Sequence, residues 1–196
     1  MKQMSIEVWE RAIADCTAVF DPAQRFPAVV QQLDLAPLPF FDGDFVFNAE
    51  AWPMIRSLAE LHGDHLVRVV VMDPGPAHYE IAIGTAGGFA ISTDADSVAY
   101  GQGLYGELQA DSKGLIGYTG QVVAVFGESL TWGLWCERNV AGLVATSTPE
   151  LLWQWQVEYG PFLSLEDALQ GFLSVNLGPG PSPERTGFEK NYRTFG

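Results

Sequence analysis

The feature that most restricts the fold is a change of hydrophobic period near residue 66. Before it, apolar residues recur every three or four positions. From Leu66 the chain runs Leu-Val-Arg-Val-Val-Val-Met and stops at Asp73-Pro74-Gly75-Pro76, a β-branched run closed by a strong turn signal. Short apolar runs follow at Tyr79–Gly84, Phe89–Ser92, Val98–Tyr100, Leu115–Tyr118, Val122–Phe126, Trp132–Cys136 and Val140–Ala145, separated by Gly and Asp. Strands so short and so closely spaced pair with their neighbours through tight turns. The pattern predicts an antiparallel meander whose first hairpin joins the Leu66 run to Tyr79–Gly84.

Helical periodicity brackets these strands. Ser5 is a candidate N-cap, and Ile6, Trp9, Ile13, Cys16 and Phe20 then share one face. Residues 24–33 suggest a short helix, and Phe40, Phe41, Phe45 and Phe47 around Asp42-Gly43-Asp44 an aromatic turn or hairpin. Trp52, Ile55, Leu58 and Leu61 form a second stripe that ends at Gly63. Towards the C-terminus, Thr148-Pro149-Glu150 opens a helix carrying Leu151, Leu152, Trp155 and Tyr159. Ser164 and Asp167 form a capping box ahead of Leu165, Leu169, Phe172 and Leu173. The reading is a single α+β domain over residues 1–176: an antiparallel sheet of about six to eight strands flanked by N- and C-terminal helices. Gly178-Pro179-Gly180-Pro181 then predicts an extended tail over 177–196.

Charge narrows the function. Ten Lys and Arg face 24 Asp and Glu, a net charge of -14. Nucleic acid and anionic membranes attract surplus cations, so neither is expected as a partner. Mean hydropathy is +0.08, yet the longest promising stretch without a charge, Gly114 to Gly127, has 14 residues and is broken by glycines. Glu7, Glu10, Arg11 and Asp15 interrupt the place of a secretory h-region, so a cytoplasmic protein is expected, with Cys16 and Cys136 reduced and buried.

Several motifs carry chemistry in principle. Gly101-Gln102-Gly103-Leu104-Tyr105-Gly106 matches G-x-G-x-x-G but lacks a strand–loop–helix setting, so it reads as a glycine-rich loop and no cofactor is expected. His62-Gly63-Asp64-His65 has no further ligand spacing to complete a metal shell, and no metal is expected. Cys136 lies in an apolar strand and reads as inert, so no catalytic residue is assigned. Arg68 and Arg138 stand in or beside strands where cations are scarce. They read as structural ion pairs, with Glu80 or Glu137 as examples of partners, or alternatively as anchors for an anion. Asp42-Gly43-Asp44 and Asp94-Ala95-Asp96 read as solvated loop carboxylates. Trp153 and Trp155 point to different helix faces, so one of them is expected to meet another element or a partner.

The order of elements, with a closing helix Ser164-Leu165-Glu166-Asp167-Ala168-Leu169-Gln170-Gly171-Phe172-Leu173, resembles the SUKH-type bacterial immunity proteins. That resemblance implies a domain that neutralises a toxin by binding it, and the acidic balance suits a basic, nuclease-like target. It assigns no residue a role. The leading expectation is therefore a non-enzymatic acidic protein that binds a protein partner, with Asp94, Asp96, Trp135 and Trp155 at the contact. A small-molecule domain or enzyme with an aromatic-lined pocket and an arginine anchor at Arg68 or Arg138 is the alternative. A self-associating module, with Phe188, Tyr192 and Phe195 of the tail packed on a neighbouring subunit, is the third.

Overall fold

A computed structural model describes residues 1–32, 39–77, 79, 84–106, 116–148, 150, 155 and 162–193. Seven strands form one sheet: β1 (Lys2–Gln3), β2 (Phe40–Phe41), β3 (Leu66–Asp73), β4 (Gly88–Ser92), β5 (Val122–Gly127), β6 (Trp132–Glu137) and β7 (Ala141–Thr146). Their order is β1-β4-β3-β5-β6-β7-β2 and every adjacent pair is antiparallel. The helices are α1 (Ile6–Cys16), α2 (Trp52–Leu61), α3 (Ser97–Tyr105), α4 (Ile116–Thr119), α5 (Leu165–Gln170), α6 (Phe172–Leu177) and α7 (Pro183–Tyr192), with 3-10 turns at Gly43–Phe47 and Ala49–Ala51. The fold is α+β.

Every residue of β5, β6 and β7 is buried, so the sheet is covered on both faces. This explains why those strands read as continuous apolar runs rather than alternating ones. One face meets α1 and the chain after it: Arg68 reaches Asp15, and Gly133 lies against Val19 and Phe20. The other face meets the 3-10 turns, α2 and α3. There Phe89 packs on Tyr100, and the Phe89 ring leaves no space for a Cβ at Gly103.

The helix starts follow capping chemistry. Ser5 accepts from the amide of Val8, and Asp96 from that of Ala99. Ser164 accepts from the amide of Asp167 while its own hydroxyl donates to the Asp167 carboxylate. The helix it opens breaks at Gly171 into α5 and α6.

Five expectations from sequence are corrected. Residues 24–32 are not a helix, because their backbone groups are engaged elsewhere: the Phe26 amide donates to Glu137 Oε1, and Phe20 bridges to Gln31. Of the two readings for the Phe40–Phe47 segment, the turn holds at Gly43–Phe47, a 3-10 turn started by the Asp42 side chain, and the hairpin does not, because Phe40–Phe41 is a strand paired with β7. Tyr79 is helical, residues 80–83 lie outside the described residues, and β3 pairs with β4 and β5. Val98–Tyr100 and Ile116–Tyr118 lie in α3 and α4, so the glycine-rich motif is part of a helix that ends at Gly106, where φ is +67°. The helix placed after Thr148 falls mostly outside the described residues, though Glu150 and Trp155 are helical.

The fifth correction concerns the tail. Residues 183–192 are helical, started by Ser182 and by Pro183 in the first turn. Phe188 and Tyr192 are buried against Phe26 and Phe40. Tyr192 donates to the carbonyl of Ala28 at 2.6 Å, and Asn191 Nδ2 to that of Pro27 at 2.8 Å. Sequence periodicity missed this helix because only two of its side chains are apolar anchors. Phe188→Ala is expected to cost about 3–5 kcal/mol, as for truncation of a buried aromatic, seen as a lower urea midpoint at unchanged slope.

Candidate functional site

The loop between β4 and α3 carries Asp94 and Asp96, both exposed. It is fixed from beneath: Trp52 Nε1 donates to the carbonyl of Ala95 at 2.7 Å, and the Thr93 amide to that of His65 at 3.0 Å. Tyr100 and Tyr105 donate their hydroxyls to the carbonyls of Val46 and Phe47 at 2.7 and 2.6 Å, which binds α3 to the first 3-10 turn. A Cβ at Gly101 would touch Ala49, so the second turn lies against the same helix. The chain around α3 thus carries two acidic groups. Asp94 and Asp96 stand at the start of α3, beyond the Ser92 end of β4. Asp42 and Asp44 lie beside the β6–β7 turn at the opposite end of the sheet, where Asp44 accepts from the Asn139 amide, with Glu50 on the second 3-10 turn. None of these carboxylates takes part in an ion pair among the described residues. Exposed apolar groups accompany both: Val98 beside Asp96 and Tyr118 of α4 are each 66% exposed, and Phe45 beside Asp44 is partly so. Such a surface can steer a cationic partner and offer it apolar contacts.

Trp135 and Trp155 are not on this exposed surface. Both are buried. Trp135 Nε1 donates to Glu137 Oε1 at 2.9 Å and its ring packs on Phe20. Trp155 Nε1 donates to Ser57 Oγ at 2.8 Å and its ring stacks on Phe162. Their rings fill the core instead of presenting anchors. Trp153 lies outside the described residues.

The two arginines are engaged internally. Arg68 pairs with Asp15 at 3.3 Å, so the ion pair exists with a partner other than the glutamates considered from sequence. Arg138 donates to the carbonyls of Gly120 and Gly117 at 3.0 and 2.8 Å, and its guanidinium lies 3.9 Å from the centre of the Phe47 ring. It holds the end of α4 and forms no ion pair among the described residues. Burial raises the Cys136 thiol far above its ordinary range and pushes Cys16 up to about 12, so neither supplies a thiolate near neutral pH.

Sequence reasoning missed two features assembled from distant segments. Asp64 is buried and accepts from the Ser129 amide (2.7 Å), the Ser129 hydroxyl (2.8 Å) and Trp132 Nε1 (2.7 Å), clamping the β5–β6 turn. No local signal marks it, since its three donors arrive from more than sixty residues away. Beside it, His62 bonds through both nitrogens: Nδ1 to Thr131 Oγ1 at 2.9 Å and Nε2 to Thr146 Oγ1 at 3.0 Å. The second feature is a cavity of about 640 Å³ between α5 and α7, lined among others by Leu165, Leu169, Arg185, Glu189, Tyr192 and Arg193. Glu189 stands 3.8 and 3.9 Å from the two arginines. Among the described residues no cluster of three metal-ligating side chains occurs, and no helix is long and apolar enough to cross a membrane.

No family model matches the chain, and no curated protein or solved structure matches it either.

Asp64→Ala leaves the indole N–H of Trp132 and the Ser129 amide without their acceptor. It is expected to cost about 3 kcal/mol, because unmade buried hydrogen bonds are expensive, measured as loss of unfolding free energy in urea.

Proposed function

We propose that this is a non-enzymatic acidic binding protein that acts by protein–protein interaction, in an immunity-like manner toward a basic toxin or nuclease. The observation that carries the reading is a set of five carboxylates around α3, none in an ion pair among the described residues, with exposed Val98 beside Asp96 at one end and exposed Phe45 beside Asp44 at the other. Carboxylates left without cations raise the local negative potential and speed encounter with a positive surface, while the apolar groups add contact once the two meet. The net charge of -14 reinforces the same polarity at long range. Asp94 and Asp96 keep their place at the contact. Trp135 and Trp155 do not, because their rings are enclosed.

The test removes three of these five charges without disturbing the caps. Asparagine supports the same capping geometry as aspartate, so D42N/D94N/D96N removes charge and preserves the turns. Wild-type protein immobilised in a lysate of its source cell is expected to retain a basic protein at low salt. The triple variant is expected to lose it, as is wild type at about 0.5 M salt, where the screening length is a few ångströms. Retention unchanged by the triple variant would refute the reading.

The cavity between α5 and α7 favours a second reading, a small-molecule domain with an arginine anchor. The anchor would be Arg185 or Arg193, which line the cavity and would exchange Glu189 for the ligand, since Arg68 and Arg138 face other parts of the fold. A carboxylate ligand there is expected to raise the melting temperature of the wild type and not of Arg185→Met, since binding to the native state stabilises it.

A further inference from the structure

Six side chains from three separate segments form one continuous hydrogen-bonded chain. It runs Thr148–Thr146–His62–Thr131–Ser129–Asp64, with contacts of 3.2, 3.0, 2.9, 2.8 and 2.8 Å in that order. Counting protons fixes its direction. The ionised Asp64 carboxylate only accepts, so the Ser129 hydroxyl must donate to it. Ser129 has no second proton, so Thr131 donates to Ser129. Thr131 is then spent, so His62 must donate from Nδ1. A neutral ring that donates from Nδ1 accepts at Nε2, so Thr146 donates to His62 and Thr148 to Thr146. Every hydroxyl proton in the chain points toward Asp64.

We infer that this chain locks His62 in its neutral Nδ1–H form and acts as an acid-sensitive latch: a proton taken from solvent onto Nε2 reverses the outer hydroxyls and loosens the contact between the end of α2, the β5–β6 turn and the exit of β7. Protonation places an N–H where the Thr146 hydroxyl already points its own hydrogen. Thr146 is wholly buried, so relief must come within the chain. Its hydroxyl turns toward Thr148, and the Thr148 hydroxyl turns away. The charged ring is also poorly hydrated there, with the Trp132 ring 6.2 Å away and tilted.

The charges around His62 set the sign. Asp64 favours the protonated ring. Glu60, one turn end away on α2, is paired with Arg56, while Glu128 of the β5–β6 turn and His65 of the following loop are exposed. Burial outweighs the Asp64 attraction, and His62 is held below the ordinary histidine value of 6.5. The locally opened state lacks that burial and takes up its proton first. Closure is therefore fully supported above about pH 6.5 and weakens as pH falls toward the lowered value of the closed state.

The experiment uses the intact protein. Long-range ¹H–¹⁵N spectra report the tautomer of each of the three histidines, assigned by His65→Gln and His78→Gln, which leave His62 in place. At pH 7.5 His62 is expected as the neutral Nδ1–H tautomer. Hydrogen exchange, corrected for its intrinsic pH dependence, is then followed from pH 7.5 to 5. The amides of Thr148 and Ser129, held by Thr146 Oγ1 and Asp64, are expected to lose protection by up to about tenfold per pH unit within the window. The amide of Phe40, held by Leu163 away from the chain, is expected to keep its protection. An Nε2–H tautomer at pH 7.5, unchanged protection of Thr148 and Ser129, or an equal loss at Phe40 would overturn the inference. None of these readouts depends on the partner, so failure here is separate from failure of the binding reading.

Discussion

The structure depends on β3 being paired along both sides. Val67, Val69 and Val70 lie opposite β4 on one side and β5 on the other, all wholly buried. A strand in that position needs cover above and below, because its side chains alternate between two faces. The helices before and after the sheet supply that cover. Arg68 is the polar exception within the run. It is tolerated because it pairs with Asp15 and lies over the Phe126 ring, with its centre 5.9 Å away.

The runs at Leu66 and Phe89 are the strands β3 and β4, and the three strands buried on both faces are marked by composition alone. Val122–Gly127, Trp132–Glu137 and Ala141–Thr146 fall close to the runs read from residues. The segments misread as strands, at Val98 and at Ile116, are glycine-containing helices. There the apolar residues are too few to show a helical period, and tertiary contacts decide: Gly103 admits the Phe89 ring and Gly117 the Tyr105 ring. The tail was misread for a related reason. Its helix is polar over most of its surface and is held by backbone carbonyls of residues 27 and 28, partners invisible to any local window.

The candidate site was legible only in its charges. Asp94 and Asp96 are exposed loop carboxylates, as the short polar run Ser92-Thr93-Asp94-Ala95-Asp96-Ser97 suggests. The tryptophans misled because interface preference and core preference favour the same side chain. What separates the two uses is a partner for the indole N–H, and Trp135 finds Glu137 two residues on along its own strand. Burial raises the proton affinity of that carboxyl, while the indole, the Phe26 amide and Arg25 act in the opposite direction. The core thus keeps an acidic group where the chain has spent its few cations sparingly.

The ends of the sheet have a consequence for recognition. Beyond β2, Phe40 and Leu163 exchange both of their backbone hydrogen bonds, and at the other end β1 lies along β4 while the Met4 amide continues the contact to Gly88. Much of the outer ladder is thereby occupied by the chain itself, which limits both edge-to-edge aggregation and the addition of a guest strand. A visiting protein would be read through its side chains rather than through its backbone. Recognition of that kind tracks the pattern of charge and tolerates changes in the fold of the visitor.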